Sequence, residues 1–187
     1  MVRINADGSI PDDNPFTQRD DALDEIWSSG HRNIQGAARH PETHALWTIE
    51  HGPKGGDELN RPEPGLNYGW PVITYGEDYS GAAIGEGLTR KDGMEQPVYY
   101  WDPVIAPGDM AFYTGELFDG WHNSILIASL KPGGIVRLTL DDGRVTGEAR
   151  YLEALGRVRD IDQGPDGALW LLTDKSDGAL IRVQPQQ

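Results

Sequence analysis

The chain has 187 residues and a net charge of 16 − 30 = −14, which argues against nucleic acid as a partner because phosphate binding relies on clustered Lys and Arg. The absence of cysteine excludes structural disulfides, thiolate zinc sites and thiol nucleophiles. No apolar run approaches the roughly 20 residues that span a bilayer, so no membrane span is predicted. The first residues also lack the pattern of a signal peptide.

Short apolar segments alternate with turn residues along the whole chain. The 24 glycines and 13 prolines are typical of an all-β fold with many turns, and helical periodicity is almost absent. Residues 2–4 look like the end of a strand and predict a neighbouring segment. Strands are predicted over 45–51, 96–101, 109–115, 124–130, 134–140, 157–163, 168–174 and 179–184.

An internal repeat organises these strands. Residues 32–52 resemble residues 159–178, and residues 106–140 form a looser third copy. Copies of about 40–50 residues, each a short β-meander, predict about three blades of a β-propeller within one partial domain over 1–187. A Greek-key sandwich is the alternative. The segment 61–95 is too long for a tight turn, and its aromatic residues predict a packed, functional loop.

The first polar cluster is Gly-His-Arg-Asn-Ile-Gln-Gly at 30–36. Arg32, Asn33 and Gln35 place a guanidinium group beside two amides, a combination that can bind a planar polyanion. A surface loop with capping amides is the alternative interpretation.

The second cluster, Glu-His-Gly-Pro-Lys-Gly-Gly-Asp-Glu-Leu-Asn at 50–60, combines carboxylates with backbone-permissive residues. Ca²⁺ prefers oxygen ligands, including the carbonyls that Gly and Pro loops expose, and Asp57 and Glu58 can supply charge. The spacing does not match an EF-hand loop. A solvated acidic loop is equally compatible with this composition.

Two further basic features follow in the last third of the chain. Lys131 precedes a Pro-Gly-Gly turn, where most lysines are simply solvated. Arg157 and Arg159 are two residues apart, so on a strand they point to the same face. Two like charges on one face are unfavourable without an anion between them, which indicates either an anionic ligand or pairing with acidic residues.

Taken together and in order, the segments 30–36, 50–60, 66–71 (Leu-Asn-Tyr-Gly-Trp-Pro), 129–134 and 156–161 resemble the soluble quinoprotein sugar dehydrogenases. The similarity is to the aldose sugar dehydrogenase branch of the glucose/sorbosone dehydrogenase family and covers nearly all of the chain. It implies a six-bladed β-propeller that binds pyrroloquinoline quinone (PQQ) and Ca²⁺. It also implies oxidation of an aldose at C1 to a lactone, with electrons passed to an external acceptor.

The resemblance also implies roles for individual residues. The residues implied to contact PQQ are Arg32, Asn33, Gln35, Lys131, Arg157 and Arg159. The carbonyls of Gly52 and Pro53 are implied to bind the Ca²⁺ beside PQQ, and Glu58 with the carbonyl of Tyr68 a second, structural Ca²⁺. In the family a His removes the C1 hydroxyl proton while hydride passes to the quinone.

The sequence departs from the family in one respect, because none of its five His occupies the general-base position. That residue belongs to the N-terminal half of the family, so no catalytic residue is assigned here. The chain is interpreted as a C-terminal half: a truncated form, one part of a split protein, or a half-propeller that forms a homodimer. A non-catalytic half-propeller that binds Ca²⁺ and PQQ is the alternative function. The resemblance implies a periplasmic or secreted location.

Overall fold

The structure, a computed structural model, describes residues 1–186, which form three antiparallel sheets. Sheet I contains β1 (Ile34–Arg39), β2 (Leu46–Glu50), β3 (Asp57–Asn60) and β4 (Tyr99–Trp101). Sheet II contains β5 (Pro107–Phe112), β6 (Ile125–Ser129), β7 (Ile135–Asp141) and β8 (Arg144–Tyr151). A 3-10 helix (Glu153–Leu155) leads to sheet III, with β9 (Val158–Gln163), β10 (Leu169–Thr173) and β11 (Leu180–Val183). Over 1–186, no helix has the length and apolar character needed to cross a bilayer.

Each sheet is a simple up-and-down meander, and the first strand of each sheet lies beside the first strand of the next. Glycines allow these inner strands to approach closely. A Cβ atom on Gly36 of β1 would lie 2.7 Å from the Asp109 carboxylate of β5. A Cβ atom on Gly108 of β5 would lie 2.3 Å from the carbonyl oxygen of Arg159 in β9. Three meanders with adjacent inner strands are consecutive propeller blades, so the predicted fold class is confirmed.

Sheet II supplies apolar side chains to both interfaces between blades. On one side Ile125 and Ile127 pack against Trp47 and Ile49 of sheet I. On the other side Leu126 packs with side chains of sheet III, including Leu169 and Leu171. All five residues of β6 are therefore buried, which explains why its first four residues are all apolar rather than alternating with polar ones.

All eight predicted strand segments overlap observed strands, but β1, β3 and β8 were not predicted. Strand β1 contains Gly36 and four further small or polar residues, and β3 is the polar tetrapeptide Asp-Glu-Leu-Asn. Strand β8 lies at the outer edge of sheet II and alternates between exposed and half-buried residues. The predicted strand at residues 2–4 is only a single bridge between Val2 and Ile26.

The segment between β3 and β4 packs against the beginning of the first blade. Its Asn67 forms a parallel bridge with Ser29, and its Glu77 forms an antiparallel bridge with Lys54. A salt bridge of 2.5 Å between the Lys54 ammonium and the Glu77 carboxylate reinforces this second contact. The long loop is thus held over the β2–β3 connection, as its aromatic content suggested.

Candidate functional site

The predicted residues meet at one end of the three sheets, where β1, β5 and β9 begin; this end is called the upper end. The β2–β3 loop reaches it, because the His51 Nε2 lies 2.6 Å from the Pro107 carbonyl at the start of β5. The β6–β7 turn reaches it as well, because the Gly134 amide donates to the Gly156 carbonyl just before β9. Antiparallel meanders place alternate loops at the same end, so sequence-distant motifs become neighbours.

Arg32, which precedes β1, is held by three contacts. Its guanidinium Nη1 donates to the His51 carbonyl at 2.9 Å, and its backbone amide donates to the Glu50 carboxylate at 3.0 Å. The guanidinium carbon lies 5.2 Å from the centre of the Trp70 ring, within cation–π range. The buried Nε atom has no partner within residues 1–186. Arg32 is therefore pre-positioned with donor capacity remaining for an anion.

Asn33 and Gln35 contact each other, and the Gln35 Nε2 donates to the Asn33 Oδ1 at 2.9 Å. The Asn33 carbonyl also accepts a hydrogen bond from the His51 amide. β1 carries a bulge between Ile34 and Gly36, which places these amides at the start of the strand. The Gln35 amide thus bonds to Asn33 and to the local backbone, and Asn33 itself is exposed.

Lys131 lies in the β6–β7 turn. Its backbone amide donates to the Ile105 carbonyl at 3.1 Å, while its side chain is exposed. The side chain lines an open groove of about 930 Å³ together with Pro53, Tyr75 and Asp102. This groove runs from the β2–β3 loop along the long segment between β3 and β4. Lys131 therefore lies on the same side of the site as this long segment.

Arg157 and Arg159 both reach Asp174, which follows β10. The Asp174 Oδ2 accepts from the Arg157 Nε at 2.9 Å and from the Arg159 Nη2 at 3.2 Å. The hydrogen bond from Arg157 is the largest cause that lowers the pKa of the Asp174 carboxyl. The two arginines share one face, as predicted. Of the two interpretations of this pair, an anionic ligand or an acidic partner residue, the structure shows the acidic partner, Asp174. One carboxylate between two guanidinium groups leaves these three side chains with a net positive charge.

The β2–β3 loop presents two carbonyl groups without partners. No hydrogen bond among residues 1–186 ends on the carbonyl oxygen of Gly52 or Pro53, although both residues are buried. A Cβ atom on Gly52 would lie 2.2 Å from the Gly55 carbonyl, so only glycine fits this tight loop. Buried carbonyls without partners fit the oxygen-rich coordination that Ca²⁺ requires.

Glu58 lines a small cavity below this loop. The cavity holds about 10 Å³, roughly the space of one water molecule or ion. Glu50 stands directly opposite Glu58 across the β2–β3 pair, and burial raises the pKa of both carboxyls, that of Glu58 to about 7. Asn60 donates to both carboxylates, while its buried Oδ1 has no partner. The Tyr68 carbonyl also accepts no hydrogen bond among the described residues.

A buried carboxylate opposite a half-buried one, next to oxygen atoms without hydrogen-bond partners, forms a suitable environment for a divalent cation. In the part of the chain that the structure describes, no cluster of three or more His, Asp or Glu side chains could hold a metal. A cation here would therefore depend on main-chain carbonyls as well as on Glu50 and Glu58. The sequence reasoning found Glu58 but missed Glu50, whose position opposite Glu58 depends on strand register.

His31 and His51 have structural partners. The His31 ring stacks on Tyr68 with centroids 4.7 Å apart, and its Nε2 lies 2.8 Å from the Ser28 hydroxyl. Burial lowers the pKa of His31 to about 4, so this imidazole is neutral near pH 7. His51 donates its Nε2 proton to the Pro107 carbonyl. Neither imidazole projects freely into the groove at the upper end.

Four residues support the site in ways that the sequence did not predict. They are Glu50, Asp57, Trp70 and Asp174. Asp57 had been considered a source of charge for a cation, but its carboxylate is occupied by buried backbone amides. The signals that could have found them are local: Glu50 and Asp57 flank the loop, Trp70 lies in the motif 66–71, and Asp174 follows the β-strand that pairs with Arg157 and Arg159.

Comparison with known proteins identifies the family to which the chain is similar. The aldose sugar dehydrogenase YliI of Escherichia coli (strain K12) is 46% identical over 188 residues, which cover 100% of this chain and 51% of that protein. The crystal structure of the E. coli soluble aldose sugar dehydrogenase in its apo form superposes with a TM-score of 0.93 at 45% identity. That superposition covers 99% of this chain and 54% of the other.

A more distant structure is described as the PQQ-bound form of an aldose sugar dehydrogenase from Streptomyces coelicolor. It superposes with a TM-score of 0.72 at 28% identity, covering 98% of this chain and 50% of that one. The chain thus spans about half the length of the relatives it matches. The sequence profile of glucose/sorbosone dehydrogenases matches residues 1–182, and the chain belongs to the glucose/sorbosone dehydrogenase family.

Proposed function

We propose that this chain provides the C-terminal half of a PQQ- and Ca²⁺-dependent dehydrogenase that oxidises aldoses at C1 to lactones. The observation that carries the proposal is the arrangement of the upper end. Arg32, just before sheet I, and Lys131 of sheet II lie beside a loop whose Gly52 and Pro53 carbonyls lack partners, and Arg157 and Arg159 lie at the same end on sheet III. A planar tricarboxylate cofactor bridged by a hard cation suits this set of donors and acceptors.

PQQ, when bound, would supply the quinone that accepts two electrons from the sugar. Arg32 offers a guanidinium group already oriented by His51 and Trp70, so little ordering is needed to bind an anion. Arg157 and Arg159 keep net positive charge despite Asp174, and Lys131 adds a flexible ammonium group. These fixed charges favour negative charge that develops on a bound acceptor.

Two cation positions belong to the proposal. The Gly52 and Pro53 carbonyls are assigned to the Ca²⁺ beside the cofactor. Glu58 and the Tyr68 carbonyl, together with Glu50, are assigned to a structural Ca²⁺ in the small cavity. The proposed external partners are an aldose and an electron acceptor, and the proposed location is the periplasm or the exterior of the cell.

A second candidate function is a non-catalytic half-propeller that binds PQQ and Ca²⁺ and pairs with another copy. Sheet III supports it, because Leu172 and Leu180 are paired across β10 and β11 and are 43% and 66% exposed. These side chains lie on the face turned away from sheet II. A second arc of three blades that covers this face would also protect the open sheet.

The test is titration of the purified chain with PQQ, followed by absorbance and tryptophan fluorescence with and without Ca²⁺. Arg32→Gln and Arg157→Gln are expected to weaken PQQ binding by roughly 10- to 100-fold, because each removes a charge-assisted hydrogen bond. Arg144→Gln on the exposed strand β8 is the matched control. Absence of any Ca²⁺-dependent PQQ signal in the wild-type chain would refute both functions.

Dye-linked oxidation of aldoses then separates the two functions. Turnover when the chain is combined with an N-terminal half that carries the general-base His supports the dehydrogenase, whereas PQQ binding by a stable pair of copies without turnover supports the binding module. Light scattering adds an independent measurement for self-association, and Leu172→Glu is expected to dissociate the pair. A wild-type monomer that persists at high concentration would exclude pairing of two copies.

A further inference from the structure

Asp57, the first residue of β3, is one of the most enclosed charged residues of the chain. Its exposure is 1%, and no cation contacts its carboxylate among residues 1–186. Three backbone amides donate to it instead: Gly52 at 2.9 Å, Ile105 at 2.8 Å and Ala106 at 2.6 Å. Three such hydrogen bonds offset part of the cost of burying the carboxylate.

The first of these bonds fixes a single peptide unit at the cation loop. The amide of the His51–Gly52 peptide donates to Asp57, and the carbonyl of the same peptide accepts from Arg32 at 2.9 Å. Both ends of the peptide are therefore held. The next carbonyl along the chain is that of Gly52, and its direction depends on this fixed plane and on the dihedral angles of Gly52.

The other two bonds reach a different blade. Ile105 and Ala106 belong to the connection from sheet I to sheet II, and their carbonyls accept hydrogen bonds from the Lys131 and Leu130 amides respectively. Ala106 has φ of 47°, a left-handed conformation that is costly for a residue with a Cβ atom. The hydrogen bond to Asp57 helps to hold this conformation and, through it, the backbone of the Lys131 turn.

We infer that Asp57 is a positioning residue that couples the cation loop of sheet I to the Lys131 turn of sheet II, and so aligns the two halves of the site. This inference rests on the proposed function for its link to Ca²⁺ and PQQ, but the coupling itself concerns only the chain. The Asp57 carboxylate fixes the orientation of the His51–Gly52 peptide and of the Ile105–Ala106 backbone. Through these two backbone segments it positions the groups assigned to metal and cofactor. Partners that orient ligands in this way typically change metal affinity by roughly 10- to 100-fold when removed.

The substitution that tests this role is Asp57→Asn, which keeps the shape but turns an NH₂ group towards at least one of the three amides. Ser129→Ala is the matched control, because the Ser129 hydroxyl is buried and donates to the Ile105 carbonyl at 2.9 Å without contacting the cation loop. Both variants are expected to lower the melting temperature. Only Asp57→Asn is expected to raise, by about tenfold or more, the Ca²⁺ concentration at which the PQQ absorbance changes.

Amide hydrogen exchange on the wild-type chain provides a measurement that needs neither the variant nor the cofactor. The amides of Gly52, Ile105 and Ala106 lie outside the strands, yet they are expected to exchange slowly because Asp57 holds them. In Asp57→Asn, exchange is expected to accelerate at Gly52 and at residues 105 and 106 together. In Ser129→Ala, the Gly52 amide is expected to keep its wild-type rate.

The outcomes distinguish a failure of the positioning role of Asp57 from a failure of the proposed function. Fast exchange of these three amides in the wild type, or equal Ca²⁺ requirements of Asp57→Asn and Ser129→Ala, would overturn the positioning role. If the wild-type chain gives no Ca²⁺-dependent PQQ signal, the proposed function fails, and the exchange pattern still decides whether Asp57 couples the two blades.

Discussion

The substitution Glu58→Gln is expected to have opposite effects on stability with and without Ca²⁺. Glu58 faces Glu50 across the β2–β3 pair; Glu50 is buried and Glu58 is half-buried. Without a cation, the two like charges repel each other and lack water. Glutamine removes one charge, keeps the side-chain length and can still accept the hydrogen bond that Asn60 donates at 3.2 Å.

The magnitude follows from the raised pKa of Glu58, about 7 against an ordinary value of 4.5. The folded state holds this proton more tightly than the unfolded state, so the free energy of unfolding falls as pH rises from about 4.5 to 7. At 1.36 kcal/mol per pKa unit, the loss above pH 7 is at most about 3 kcal/mol. Glu58→Gln is therefore expected to be more stable than the wild type at pH 8 in a chelator.

Saturating Ca²⁺ reverses this order. A cation present at 100 times its dissociation constant stabilises the folded state by about 2.7 kcal/mol. For a chain of this size that corresponds to a rise in melting temperature of roughly 5–10 °C. The wild type is expected to show this rise, whereas Glu58→Gln loses most of it.

The assay is thermal unfolding at pH 8, in chelator and in excess Ca²⁺, of the wild type, Glu58→Gln and Glu86→Gln. Glu86 is an exposed carboxylate in the long loop and serves as the control. An equal Ca²⁺-induced rise in all three proteins would refute the assignment of a cation to Glu58. A lower melting temperature of Glu58→Gln in chelator would refute the argument from opposed buried charges.

Three further predictions concern the packing of the inner strands. Gly108→Ala places a Cβ atom 2.3 Å from the Arg159 carbonyl, so denaturant unfolding should show a loss of about 2–3 kcal/mol, and an unchanged midpoint would contradict the close approach of β5 and β9. Ala106→Gly relieves the left-handed conformation and should raise stability by about 1 kcal/mol in the same assay; a loss of stability would show that the strain argument is wrong. The pKa of Asp109 is raised to about 6, mainly by burial and also by the charges of Asp160 and Asp162. Because the folded state binds this proton more tightly than the unfolded state, the free energy of unfolding should fall between about pH 4 and 6. Asp109→Asn should flatten that pH dependence and add about 1 kcal/mol at pH 7 after allowance for its partial exposure, and an unchanged pH profile of unfolding would count against it.

The sequence alone was sufficient for the all-β class, the repeat of three blades and the positions of the polar clusters. The reason is that alternating short apolar segments, turn residues and local motifs are encoded within a few residues of each other. It also predicted that Arg157 and Arg159 share one face, which follows directly from the two-residue period of a strand. The same local information located Gly52, Pro53 and Glu58 in one short segment, of which Glu58 belongs to β3.

Tertiary structure decided the features that depend on residues far apart in the chain. Strands β1 and β3 are short and lack a strong apolar pattern, and they form because neighbouring strands supply their hydrogen bonds. Glu50 faces Glu58 only through strand register, and Asp174 meets Arg157 only across sheet III. In the sequence, nothing distinguishes Asp57 from the other acidic residues of the polar segment 50–60. Its three buried amide partners come from two different blades, and only the folded chain brings them to one carboxylate.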